Sequence, residues 1–392
     1  MLSKECSKVI QSVLDSEMSF CKFLSANDSG ATGGHQSGIL ISKKAATMLF
    51  SEYLPPKGIL KREIKISWPD GSVTDSVFTW YSSKNELRIT KFGRGFPFLT
   101  PDQTGSLFIF TRQDKEDYSG FFLNTDDEIE EFLQTFAISP VQTNDLIHLK
   151  PEPTEELHEH QLEKVAEQLL EQYPSFPDTE DMSAAARSLR SILFNEEKLA
   201  ILNPDKQLIN WTDEEYRLFR TVENVTYGPL LRKGFTSVEE FTTLANKILN
   251  RRKSRAGKSL EHHLETLFDA HHLLYTSQAI TEGKKKPDFI FPSEDAYHNP
   301  LFSADNLISL AAKTTCKDRW RQVITEADRI PVHHLCTLQQ GVSEAQMDEM
   351  ESENVILVVP KQYITAYPAS KRNRIWTLKK FIDFVKEKEN IR

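Results

Sequence analysis

Between Lys150 and Asp181 the chain changes character. Ten acids face two bases there, and Pro151, Pro153, Pro174 and Pro177 punctuate the stretch. What lies on either side follows different rhythms, so one continuous sheet or bundle is a poor description of the whole. Residues 1–148 carry short apolar runs such as Ile39-Leu40-Ile41, Ile64-Lys65-Ile66 and Leu107-Phe108-Ile109-Phe110, broken by Gly, Asp and Asn. That is a mostly-β pattern. Residues 182–392 are helix-rich and then alternate. Expected strands are Pro287–Phe291, Leu307–Thr314, His334–Leu338 and Val355–Val359. Expected helices are Ser259–Leu273, Lys317–Arg329, Ala345–Glu351 and Leu378–Lys388, a small α/β layer. With 392 residues the chain is long enough for two cores. The predicted organisation is therefore 1–148, a linker or hinge at 149–181, and 182–392. The acidic run itself reads either as a solvated helix face or as a phosphate mimic resting in a basic cleft.

The second unit holds the chemistry. Pro287-Asp288 opens one apolar run, Lys313 closes another 25 residues later, and Glu326 follows 13 residues further on. Two carboxylates and a lysine at the ends of neighbouring strands suit a Mg²⁺-dependent phosphodiesterase. The carboxylates would hold a hard cation, and the lysine would stabilise charge on phosphorus. Glu261 and Glu265 lie one turn apart on the expected helix starting at Ser259, and Glu261 is a further candidate for this site. Immediately after Lys313 come Lys317, Asp318 and Arg319. Lys and Arg can donate to guanine O6 and N7 and Asp can accept from cytosine N4, so the triplet can read adjacent G·C pairs. Upstream, five of the eight residues from Arg251 to Lys258 are basic in a chain of formal net charge -9. Lys253 and Arg255 are the candidate phosphate contacts of that run.

In the first unit, the loop Ala26 to Gln36 offers Asn27 and His35 as donors and acceptors around three glycines. The segment Lys84 to Gly95 offers Lys84, Glu86, Arg88 and Arg94 for bases or phosphates.

Elsewhere the sequence mainly excludes. No run of 18 apolar residues exists to span a membrane. Met1-Leu2-Ser3-Lys4-Glu5 carries charges where a signal peptide would be apolar. Four cysteines without CxxC spacing fit reduced thiols in the cytoplasm. His262-His263 and His271-His272 are adjacent pairs, whose side chains would point about 100° apart on a helix, a poor zinc site.

The order Lys313, Lys317-Asp318-Arg319, Glu326, with Ala311 where an acid normally stands two before the lysine, resembles the rearranged PD-(D/E)xK site of the EcoRII-type restriction endonucleases. The blocks Arg251–Glu261, Gln278–Phe289, Lys313–Gln322, Leu357–Pro360 and Ser25–Gln36 carry the resemblance, which spans nearly the whole chain and weakens between about 100 and 215. It implies a B3-like pseudobarrel at the N-terminus, binding an effector copy of the DNA site through two arms. It implies a PD-(D/E)xK catalytic domain using Mg²⁺, in which Asp288 and Glu326 bind metal and Lys313 orients the water. It also implies a CC(A/T)GG-like site, a homodimer, and restraint of the nuclease by the N-terminal domain. Just before Lys84 this chain is shorter than the family pattern, so a basic contact there is in doubt. Two other classes stay open on the residues themselves: a non-cleaving DNA-binding regulator and a non-specific metal-dependent nuclease.

Overall fold

The computed structural model describes residues 3–32, 38–50, 54–114, 116–148, 156–173, 176–196 and 198–389. The N-terminal half runs α1 (Lys4–Asp15), β1 (Met18–Phe23), β2 (Ile39–Ile41), α2 (Ala46–Leu49), β3 (Ile59–Ser67), β4 (Val73–Tyr81), β5 (Glu86–Thr90), β6 (Leu107–Arg112), β7 (Asp117–Leu123), α3 (Asp126–Thr135) and β8 (Asp145–Leu146). The strands form a curled eight-stranded sheet in the order β2-β5-β4-β3-β7-β6-β1-β8. Successive side chains alternate between its faces, and β6 is buried on both. In β6, Phe108 and Phe110 join Phe20, Ile66, Trp68, Phe78 and Tyr118 inside the curl. Leu107 and Ile109 point the other way, onto Val9 and Val13 of α1 and Ile129 and Phe132 of α3. The outer face of β6 therefore fixes α3 on the outside of the sheet.

A helical layer follows: α4 (Glu156–Gln172), α5 (Thr179–Phe194), α6 (Leu199–Leu202), α7 (Pro204–Lys233) and α8 (Val238–Ala270). The acidic segment thus contains a docked helix. Leu162, Ala166 and Leu169 of α4 pack with Met182, Ala186 and Leu189 of α5 and Leu218, Phe219 and Val222 of α7. The helix expected to begin at Ser259 begins at Val238. No proline interrupts the stretch between them, and Ser237 caps the start by accepting from the Glu240 amide. The basic run consequently lies on a helix and not in a loop.

The second sheet contains β9 (Thr276–Ser277), β10 (Phe289–Phe291), β11 (Ile308–Lys313), β12 (His333–Thr337) and β13 (Val355–Val358), in the order β13-β12-β11-β10-β9. It is parallel from β11 to β13 and antiparallel at β9, β10 and β11. Four short or terminal helices complete it: α9 (Glu294–His298), α10 (Trp320–Val323), α11 (Glu344–Ser352) and α12 (Leu378–Glu389). Leu260, Leu264 and Phe268 of α8 and Phe381, Ile382 and Val385 of α12 cover one face. Trp320 and Val323 of α10 and Met347 and Met350 of α11 cover the other.

One expectation fails here. The helix predicted over Lys317–Arg329 shrinks to α10, and Glu326 lies in the loop beyond it. Val323, Ile324 and Thr325 are β-branched in a row, which weakens a helix. The amides before α10 are also drawn to another partner, described below. The halves touch closely. A Cβ on Gly105 (φ +82) would lie 2.1 Å from the Gly341 carbonyl oxygen, so only glycine permits that approach.

Candidate active site

The register of β10 against β11 sets Phe289 opposite Leu310, so Asp288, just before β10, lies beside the end of β11. Its Oδ2 accepts from the Ala312 amide at 2.8 Å and from Lys313 Nζ at 3.0 Å. Its Oδ1 accepts from the side-chain amide of Gln278 at 3.2 Å. The same Gln278 amide donates to Glu261 Oε2 at 3.0 Å, and Lys258 donates to that oxygen at 2.8 Å. Gln278 therefore ties α8 to the strand carrying Asp288.

The electrostatics follow from three carboxylates around one ammonium. Burial pushes Glu326 up to about 7, and Asp288 adds to the rise against the opposing pull of Lys313. Burial also raises Glu261, with Asp288 contributing. Burial alone would lower Lys313, but Asp288, Glu326 and Glu261 outweigh it and hold the ammonium above its ordinary value. Among the described residues no three His, Cys, Asp or Glu side chains stand close enough to hold an ion. The donor set nevertheless suits a hard divalent cation. It offers the carboxylate oxygens of Asp288, Glu326 and Glu261, gathered around Lys313.

Lys317, Asp318 and Arg319 are together, but their partners come from α3. The Asp126 carboxylate accepts from three successive amides, Lys317 at 3.0 Å, Asp318 at 2.8 Å and Arg319 at 2.9 Å. Arg319 reaches Glu130 at 2.5 Å and Asp127 at 2.7 Å. Lys317 Nζ donates to Ser106 at 2.7 Å. At the other end of α3, Arg252 donates to the Thr135 carbonyl at 2.5 Å and pairs with Glu223. Both ends of α3 are thus fastened to the second half. The Asp126 side chain pushes Asp318 up to about 7, and burial lowers Lys317 to about 8.

The basic helix divides. Lys253 is exposed, as a phosphate contact would be. Arg255 is buried at 4%, reaches Glu215 at 2.8 Å and stacks on Tyr216 and Phe219. Glu215 is held down to about 2 despite burial, by His263, Arg255 and Ser183. In this arrangement Arg255 neutralises a buried carboxylate and faces no phosphate.

On the first half, Asn27 is exposed while Asp28 beside it is buried against Lys22 at 2.7 Å. His35 lies outside the described residues. The register Ile39↔Ile89 sets Gly38 close to Ile89 and Thr90, and Arg94 further along is exposed. Lys84 is exposed at the opposite end of β5, and Glu86 pairs with Arg88 at 3.2 Å.

Sequence reasoning missed Gln278, Asp126, Asp127, Glu130 and Arg252. Gln278 acts across β9 and β10. The acids of α3 meet partners about 190 positions away. Their only local signal is that of a helix start.

Residues 219–382 match the family described as EcoRII C terminal, and residues 13–151 match restriction endonuclease EcoRII, N-terminal. The chain is 39% identical to the type II restriction enzyme EcoRII of Escherichia coli, over 93% of this chain and 92% of that one. Among solved structures it resembles metal-depleted Ecl18kI in complex with uncleaved, modified DNA: 21% identity, 59% of this chain, 84% of that chain, TM-score 0.44. It also resembles a PspGI–substrate DNA complex: 15% identity, 55% and 94% coverage, TM-score 0.45.

Proposed function

Because this chain belongs to the EcoRII family of type II restriction endonucleases, we propose that it cuts double-stranded DNA at a CC(A/T)GG-like site with Mg²⁺, restrained by its own N-terminal half. The observation that carries the chemistry is the Asp288–Lys313 pair at neighbouring strand ends, with Glu326 and Glu261 charged against it. Asp288 and Glu326 would hold the cation. A bound divalent ion would polarise the phosphate and acidify a water. Lys313, whose ammonium the three carboxylates favour, would orient that water and stabilise the developing oxyanion. Glu261 fixes Gln278, and through it the second oxygen of Asp288.

Recognition falls to Lys317, Asp318 and Arg319, with Lys253 on the backbone. Cutting both strands of a near-palindrome requires two-fold symmetry, hence a homodimer. The N-terminal B3-like domain, residues 1–148, would bind an effector duplex through Asn27, His35 and Arg94, with Lys84, Glu86 and Arg88 further along β5. The segment 149–181 would join it to the catalytic domain, 182–392. Restraint is supported by α3, whose carboxylates hold the backbone of the reading triplet and take the Arg319 guanidinium that would otherwise face DNA. No helix among the described residues is long and apolar enough to cross a membrane. The four cysteines are buried and free, which fits a cytoplasmic enzyme.

Incubation with plasmid DNA and Mg²⁺, with fragment ends sequenced, tests this. Discrete fragments sharing one end sequence are expected. A smear would mean a non-specific nuclease, and intact plasmid a non-cleaving regulator. Cleavage of a single-site plasmid should rise when a short cognate duplex is added.

A further inference from the structure

Glu326 has no helix to aim it. α10 ends at Val323, and Glu326 follows in a loop whose own backbone bonds are single turns: the Glu326 amide donates to the Val323 carbonyl at 3.2 Å, and that of Ile330 to Ala327 at 3.1 Å. A carboxylate on such a loop keeps one direction only if the loop is held from outside. The holding groups come from two other segments. Thr281 Oγ1 donates to the Glu326 carbonyl at 2.5 Å. Glu282 Oε2 accepts from the Asp328 amide at 3.3 Å. Tyr297 Oη donates its one proton to the Glu282 carboxylate, lying 2.7 and 2.6 Å from its two oxygens, and accepts from the Arg329 amide at 3.3 Å. The Arg329 guanidinium donates to the carbonyls of Tyr297, Asn299 and Phe302.

Tyr297 is the centre of this arrangement. It is 1% exposed, on α9, and packs in one cluster with Ala279, Ile290, Leu307, Ala327 and Ile330. Ile290 stands two residues after Asp288 on β10, while Ala327 follows Glu326 directly. One buried side chain therefore shares a cluster with the strand that follows Asp288 and bonds to the loop that carries Glu326. We propose that Tyr297, acting through Glu282 and assisted by Thr281, is the positioning residue that sets Glu326 against Asp288. This rests on the reading of Glu326 as a metal ligand. None of the three touches the reacting atoms. Their work is to select one loop geometry in advance, so that two carboxylates on separate segments present their oxygens together. Partners behind a metal ligand typically change metal affinity by about 10–100-fold when removed.

The test uses the full chain on an uncleaved cognate duplex, with Mn²⁺ binding followed by the EPR signal of the free ion. Tyr297→Phe keeps the ring and removes only the hydroxyl. It is expected to weaken Mn²⁺ binding by roughly tenfold or more, and to raise the half-saturating Mg²⁺ for cleavage by a similar factor. Cognate-DNA affinity without metal should stay at the parent value, and the melting temperature should fall by only a few degrees, as loss of one hydrogen bond implies. Thr281→Val should act in the same direction, and Thr281→Ser, which restores the hydroxyl, should return towards the parent. Unchanged Mn²⁺ affinity in Tyr297→Phe and Thr281→Val would overturn the proposal. So would a loss matched by a fall in metal-free DNA binding and a larger fall in melting temperature, since that is general loosening. Glu326→Gln separates the two levels. If it binds Mn²⁺ like the parent, the ligand reading falls and takes the proposal with it. If it loses Mn²⁺ while Tyr297→Phe does not, only the positioning role falls.

Discussion

The Asp126→Ala substitution isolates the contact that most distinguishes a restrained nuclease from an open one. Asp126 is buried completely and accepts three amides from Lys317, Asp318 and Arg319. A hydrogen bond to a charged group contributes about 1.5–3 kcal/mol. Three sharing one carboxylate do not add in full, and Asp126 also crowds Asp318, which it drives up to about 7. A net loss of about 3 kcal/mol from the closed arrangement is a sound working figure, equal to a shift of about 150-fold between closed and open forms. The expected outcome is faster cutting of a single-site plasmid without added duplex, by up to that factor, levelling off once most molecules are open. Stimulation by a cognate duplex should shrink correspondingly. Because Asp126 also lies in the first turn of α3, the variant loses some helix stability there, about 0.3–1 kcal/mol. A melting curve controls for this. If Asp126→Ala cuts single-site DNA at the parent rate and still needs the duplex, the amides of Lys317–Arg319 are not what restrains the enzyme.

Asp288→Ala and Lys313→Ala should each abolish cleavage yet leave cognate-DNA binding largely intact, because neither reads a base; comparable cutting in Mg²⁺ would remove the site assignment. Restraint should also depend on pH. Asp318 is raised to about 7 in the closed form, so its contribution is full below the ordinary aspartate value and is lost as pH climbs through 7. Lys317 is lowered to about 8, so its contribution is present above the ordinary lysine value and is lost as pH falls through 8. The ratio of Asp126→Ala to parent rates on single-site DNA should therefore be smallest between pH 7 and 8 and grow on either side; a maximum there would contradict both shifts. Finally, Arg255→Ala should lower stability by about 3–5 kcal/mol, since it strands the buried Glu215 carboxylate. Lys253→Ala should leave the melting temperature alone and reduce the salt dependence of DNA binding. The reverse pattern in calorimetry and salt titrations would exchange their roles.

The sequence by itself determined what depends on short range. The unbroken apolar run Leu107–Phe110 marked a strand, and the apolar runs that Asp288 opens and Lys313 closes marked two strand ends carrying opposite charges. Residue type, spacing and the resemblance of whole blocks were enough to collect Asp288, Lys313, Glu261 and Glu326 as one set. Tertiary structure decided everything that depends on which surfaces meet. Arg255 reads as a phosphate contact among its basic neighbours; only the packing of α8 against α7 turns it onto Glu215. Glu326 reads as a helical residue; the tethers from Thr281, Glu282 and Tyr297 keep it on a loop. The acids of α3 read as an ordinary helix start, as Asp and Glu commonly are there. Their meeting with Lys317–Arg319 joins groups about 190 residues apart. Periodicity records which face of an element is buried, but not what covers it. A partner that distant is chosen by the summed shape and charge of two folded surfaces, and no local stretch of either one carries that information.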